Sequence, residues 1–218
     1  MKNPAEDLEP LFEKYGKRKH PLDYSNRFQL LVMVVLSAQD SDNKINKVSP
    51  DFFKAFPSVE ELKKHTPEDL HPLLKSVRGF RKKSAWLVQI AQAIGEDSKI
   101  PLTIAELTKL PGIGRKSANV IIRESGAKAE GIMVDLHVVR VAPRLGVADG
   151  KPDKIEKQLM EVIPQEKWND TGMVLSYHGR EICRPKPLCE QCIVNSVCNY
   201  YKEVVKGEHA LRHEPEIR

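Results

Sequence analysis

The chain has 218 residues, 30% of them charged and 6% aromatic, with a formal net charge of +5. This length fits one large domain or two small ones, and the mildly basic balance admits nucleic acid as a partner without requiring it. The longest apolar run, Leu30 to Leu36, falls well short of the roughly 18 residues that a membrane span needs. The first ten residues carry no apolar signal region, so the expectation is an intracellular, cytoplasmic protein.

Helical patterning dominates, and strand alternation is nearly absent. Pro4 to Tyr15 reads as a short amphipathic helix stopped by Gly16, and Gly16 to His20 reads as a basic, solvated loop. Arg27 to Ala38 is apolar on all sides from Phe28 to Leu36, which predicts a central, buried helix. Ser37-Ala-Gln-Asp-Ser-Asp42 then supplies turn and capping residues from which a new helix can begin. Ser58-Val-Glu-Glu61 is a capping box. Thr66-Pro67-Glu68-Asp69 sets a cap, a proline and two acids at another helix start. Val77 to Lys83 places four positive charges around Phe80 and is expected to connect to a helix from Ser84 to Ile94, ended by Gly95. Thr103-Ile-Ala-Glu106 opens a short helix, and Ser117 to Arg123 continues in a second, with Gly126 as its stop. Helices are further expected from Asp135 to Leu145, Lys154 to Val162 and Asn169 to Arg180. Beyond Tyr201 the sequence is polar and aperiodic, and 207–218 is expected to be a tail.

Two stretches carry chemistry. The first is Leu110-Pro-Gly-Ile-Gly-Arg-Lys-Ser-Ala118. Two glycines so close together permit positive φ and a tight reversal. They also leave the amides at the start of the second helix uncovered, where the dipole is positive and a phosphate binds well. A P-loop is excluded, because one residue separates Gly112 from Gly114 and Arg115 splits Gly from Lys. A dinucleotide fingerprint is excluded too, since Ser117 stands where the third glycine belongs and a helix precedes. A plain corner between helices, without a ligand, remains open on local sequence. The second stretch is Cys183-x5-Cys189-x2-Cys192-x5-Cys198, which holds all four cysteines of the chain. In an intracellular protein this spacing points to a metal centre rather than disulfides. Spacing alone leaves structural zinc and an iron–sulfur cluster both open.

The hairpin, Val134-Asp-Leu-His137 after it, and His178-Gly-Arg-x-x-Cys183 leading into the cysteines resemble the endonuclease III branch of the helix-hairpin-helix DNA glycosylases. The resemblance covers about residues 22 to 200. It implies an all-α fold with a helical barrel domain over 22–129. A second helical domain, built from 1–21 and 130–218, would hold a [4Fe–4S] cluster on Cys183, Cys189, Cys192 and Cys198. It implies that Lys116 and Asp135 are catalytic. Lys116 lies in the first turn of its helix, where the dipole disfavours a positive charge and so helps a neutral, attacking amine. Asp135 would steady a cationic sugar or relay a proton; each residue also has a structural reading, as a phosphate contact and as an N-cap.

The resemblance further implies that Gln39 enters the space left by a flipped base, and that Phe80 acts as a wedge in the duplex. Gly112 and Gly114 would hold phosphate through their backbone, and His137, Arg184 and Lys186 are candidate phosphate contacts. The implied function is a bifunctional glycosylase and AP lyase of base excision repair. It would act as a monomer on duplex DNA carrying a damaged, oxidised pyrimidine or an abasic site. A mismatch-specific thymine or uracil glycosylase, and a non-catalytic DNA-binding hairpin module, are the alternatives. Three positions depart from the family pattern: Leu136 replaces the usual Thr after the catalytic Asp, Arg81 stands where Tyr is common, and the first cysteine spacing is five instead of six.

Overall fold

A computed structural model describes residues 3–207, and no strand occurs among them. The tail expected over 207–218 falls, apart from Gly207, outside the described residues. The chain divides into two compact units, Lys19–Glu130 and 3–18 together with 131–207. Among the described residues no helix is long and apolar enough to cross a membrane.

The first unit is built around α3, Arg27–Ser37. Asn26 caps it by accepting a hydrogen bond from the Gln29 amide at 2.9 Å. Phe28 and every residue from Leu30 to Leu36 are buried, as expected for a helix that is apolar all round. Each such side chain contributes about 1.5–3 kcal/mol relative to exposure. Around α3 pack α4 (Asp42–Ala55), α7 (Phe80–Ile94) and α9 (Arg115–Glu124). Between α4 and α7 come α5 (Val59–Leu62) and α6 (Pro67–Leu74). Ser58 accepts from the Glu61 amide, but the Glu61 carboxylate bonds Lys64 and His65, so only the cap half of the expected box is formed; at Thr66 the box is complete, with Asp69 accepting from the Thr66 amide at 2.8 Å. Phe28, Phe52, Phe53 and Phe56 form a run of edge-on and tilted ring contacts that fixes α4 against α3. α8 (Ile104–Leu107) precedes α9, and Thr103 caps it through the Glu106 amide.

The second unit contains α1 (Pro4–Asp7), α2 (Glu9–Tyr15), α10 (Leu136–Leu145), α11 (Pro152–Val162) and α12 (Trp168–Glu181). α12 packs against α10 and α2. Its close approach to α10 depends on Gly179, where a Cβ would lie 2.9 Å from the His137 Cβ. Arg18 pairs with Glu181 and stacks over the rings of Tyr15 and Tyr177, tying α2 to the end of α12.

Three expected elements differ. Pro4 to Tyr15 is two helices broken at Leu8; Pro10, at the start of α2, has no N–H with which to continue the first ladder. α7 begins at Phe80 rather than Ser84, because Gly79 adopts the left-handed conformation and reverses the chain directly before it. Tyr201–Val205 forms a π-helical turn where the aperiodic sequence gave no signal.

Candidate active site

The hairpin is formed by α8, the turn at Pro111–Gly114, and α9. Gly112 has φ 79°, and a Cβ there would sit 2.5 Å from the Trp86 ring. It therefore needs glycine twice over, for its backbone and for space. Trp86, on α7, carries Lys82 over its ring at 4.8 Å, so the turn rests on an aromatic side chain of a neighbouring helix. Gly114 differs from expectation. It is extended, with φ −92° and ψ 175°, and positive φ is not its reason. A Cβ there would meet nothing within 4 Å. Gly114 is the N-cap of α9 and brings no side chain to the first turn. The opening amides of a helix have no carbonyl within it to bond, so the bare cap suits a phosphate oxygen. Lys116 is the second residue of α9 and is exposed.

Asp135 is the N-cap of α10. One of its oxygens, Oδ1, accepts from the His137 and Val138 amides, both at 2.9 Å. The other, Oδ2, accepts from the Ser176 hydroxyl at 2.6 Å. A carboxylate offers about four acceptor directions, so the three bonds leave roughly one for another partner. The cap reading is thus realised, and it also holds the carboxylate in one orientation. Ser176 is buried on α12; nothing in the local sequence singled it out. Leu136, directly after Asp135, is 84% exposed.

His137 is half-buried, and its Nδ1 lies 3.1 Å from the Arg140 guanidinium. Arginine only donates, so Nδ1 accepts and the proton of the neutral ring resides on Nε2. Burial, first, and the charges of Arg180 and Arg140 lower the His137 pKa against the opposing pull of Asp135. His137 is therefore a neutral Nε2–H donor at physiological pH. Arg140 also donates to the Cys183 and Gly179 carbonyls, at 3.0 and 2.9 Å.

Gln39 is exposed and has φ 59°, the one non-glycine with positive φ among the described residues. Phe80 is half-buried and meets His71 edge-on at 5.1 Å, with the Arg81 guanidinium 5.1 Å above its ring. Arg184 and Lys186 are both exposed in the loop between the first two cysteines. That loop is braced by Arg144, which donates to the Arg184 carbonyl at 2.6 Å and the Pro185 carbonyl at 3.1 Å.

The four cysteines are free thiols, with Cys183 and Cys198 buried. All four line one cavity together with Arg144 and His178. Burial, first among its causes, pushes the Cys192 thiol up to about 11. Bare thiolates are therefore disfavoured there, and a bound cationic centre is what would hold them ionised. Among the described residues no three His, Cys, Asp or Glu side chains close on the position of one metal ion.

Residues 32–165 match the family described as HhH-GPD superfamily base excision DNA repair protein. The chain is 36% identical to endonuclease III of Thermotoga maritima over 191 residues, covering 86% of this chain and 89% of that protein. The chain belongs to the endonuclease III family. Endonuclease III of Synechocystis sp. is 37% identical over 181 residues, 81% of this chain and 83% of that one. Among solved structures, a trapped endonuclease III–DNA covalent intermediate in an estranged-adenine complex superposes with a TM-score of 0.80 and 31% identity. It covers 91% of this chain and 95% of that chain. Family membership bears out the fold class and the repair function expected from the hairpin.

Proposed function

We infer that this member of the endonuclease III family is a bifunctional DNA glycosylase and AP lyase of base excision repair, acting on damaged pyrimidines in duplex DNA. The observation that carries this reading is the likeness, over nearly the whole chain, to an endonuclease III trapped as a covalent intermediate with DNA. The mismatch-specific and non-catalytic alternatives have no comparable support.

In this reading Lys116 supplies the nucleophile. Its neutral amine attacks C1′ of the sugar as the bond from C1′ to the base breaks; the base departs with the electron pair and takes up a proton. Ring opening gives an imine between Lys116 and C1′. The imine acidifies C2′, a proton leaves it, and elimination breaks the bond from C3′ to the phosphate oxygen. Asp135, held by two amides and the Ser176 hydroxyl, offers a fixed negative charge to the cation-like sugar. Gly112 and Gly114 would hold a backbone phosphate through the hairpin backbone, where the bare cap at Gly114 leaves the opening amides of α9 uncovered. His137 offers its Nε2–H, and Arg184 and Lys186 offer positive charge, to other phosphates. Gln39 fills the gap left by the extruded base, and Phe80 presses between the neighbouring bases.

The product ends test this reading. A duplex bearing a single 5,6-dihydrouracil, thymine glycol or 5-hydroxycytosine is expected to be cut without alkali, leaving a 3′ unsaturated aldehyde and a 5′ phosphate. Strands that break only after alkali treatment would mark a monofunctional glycosylase.

Cys183, Cys189, Cys192 and Cys198 are the residues that would hold a [4Fe–4S] cluster. Four thiols lining one cavity suit a centre of several atoms, and two arginines brace their first loop. A cluster there contributes folding energy to a segment of short turns with little core of its own. Iron and acid-labile sulfide are expected in purified protein at about four of each per chain; zinc alone would replace this assignment with a structural zinc site.

A further inference from the structure

Lys83 is only 4% exposed, although it stands on α7 beside the exposed Arg81 and Lys82. Its Nζ donates to the Leu36 and Ala38 carbonyls, both at 2.7 Å. These carbonyls belong to the last turn of α3 and its C-cap, where a helix leaves its oxygens without amide partners. The same Nζ lies 3.6 Å from Asp40 Oδ2. Asp40 in turn accepts from the Arg78 amide at 2.6 Å and from Lys44 Nζ at 2.9 Å.

Gln39 sits between these contacts. Its left-handed backbone is unfavourable for a residue with a Cβ and persists only where the surroundings hold it. Here Ala38, before it, is tied by its carbonyl to Lys83, and Asp40, after it, is tied by its carboxylate to Arg78, Lys44 and Lys83. The Arg78 amide is two residues from Phe80, across the left-handed Gly79. One lysine and one aspartate thus grip two separate loops, the one that carries Gln39 and the one that carries Phe80.

Burial lowers the Lys83 pKa, and Asp40 works against that loss. For Asp40, burial acts to raise the pKa, but Lys44, the Arg78 amide and Lys83 together outweigh it and hold the carboxyl below the usual carboxylate range. A buried pair of this kind adds little net stability and is better suited to fixing one geometry.

We propose that the Lys83–Asp40 pair is a positioning device that presets the Gln39 and Phe80 loops as one rigid unit for opening the duplex. Neither residue touches the reacting atoms. The proposal rests on the reading that Gln39 and Phe80 enter the duplex. Its benefit is that neither loop has to be ordered at the moment a base is turned out, when ordering would oppose binding.

The test compares Lys83→Met, Asp40→Asn, Gln39→Ala and Phe80→Ala in the full-length protein on two substrates. One is a duplex with whichever of 5,6-dihydrouracil, thymine glycol or 5-hydroxycytosine the wild type excises fastest. The other is a single-stranded oligonucleotide with an abasic site, which needs no base turned out and no strands parted. Lys83→Met and Asp40→Asn are expected to lower the single-turnover excision rate on the duplex by about tenfold to a hundredfold. Borohydride trapping on the single strand should stay within about twofold of wild type. If both activities fall together, the pair has only a general structural role and the proposal is overturned. Unchanged duplex excision overturns it as well. If Gln39→Ala and Phe80→Ala leave duplex excision intact, the entry of these residues into the duplex is what fails, and the proposal fails with it. If those two variants lower duplex excision and the pair variants do not, the pair alone is at fault. Should Lys83→Met not fold, Asp40→Asn decides the matter, because it leaves the α3 carbonyls bonded to Lys83.

Discussion

Lys116→Ala is expected to lower strand cleavage at an abasic site by about a thousandfold or more while leaving the protein folded and bound to DNA. Lys116 is exposed in the first turn of α9, and alanine is the best helix former, so the substitution removes the amine and little else. The backbone amides of the hairpin remain, so the proposed hold on phosphate through them is expected to persist. The alternative role makes a different prediction. A lysine that only contacts phosphate contributes a point charge. Its loss would weaken binding, reduce the salt dependence by about one unit of slope, and leave cleavage by saturating enzyme unchanged. Cleavage under single-turnover conditions, with binding measured at several salt concentrations, separates the two.

Asp135→Asn is expected to slow base excision by about a hundredfold with little change in melting temperature. Asparagine caps a helix about as well as aspartate, so its side-chain oxygen can keep the bonds from the His137 and Val138 amides. What it cannot supply is the negative charge. Asp135→Ala removes both, and should add a loss of about 1 kcal/mol in stability to the catalytic defect. If Asp135→Asn keeps full activity while Asp135→Ala loses stability, the residue is a cap and nothing more. Thermal melts run beside excision rates on the same preparations distinguish these outcomes.

Much of the scaffold was legible because its signals are local. Phe28 and the apolar run from Leu30 to Leu36 announced a buried helix, and α3 is buried at all of those positions. Ser58, Thr66 and Thr103 announced helix starts, and all three stand immediately before one. The hairpin was legible from Gly112, whose conformation and contact with Trp86 both require a glycine. What the sequence withheld depends on partners distant along the chain. Ser176 reaches Asp135 across 41 positions, and Arg140 reaches the Cys183 carbonyl across 43. Lys83 looked like one more charge in the basic stretch around Phe80, yet it is buried against carbonyls 47 and 45 positions away. No periodicity marks such a lysine, because burial of a charge is decided by the carbonyls and carboxylate that receive it. At Gly114 the expected uncovered helix start is present, and only the positive φ that closeness to another glycine permits is absent.

The most direct measurement is borohydride trapping on duplex DNA with an abasic site, followed by mapping of the cross-linked peptide. A covalent protein–DNA species is expected whose modified residue is Lys116, absent from Lys116→Ala. A cross-link at another amine, or no cross-link from wild-type protein that binds the DNA, would contradict the imine mechanism assigned to Lys116.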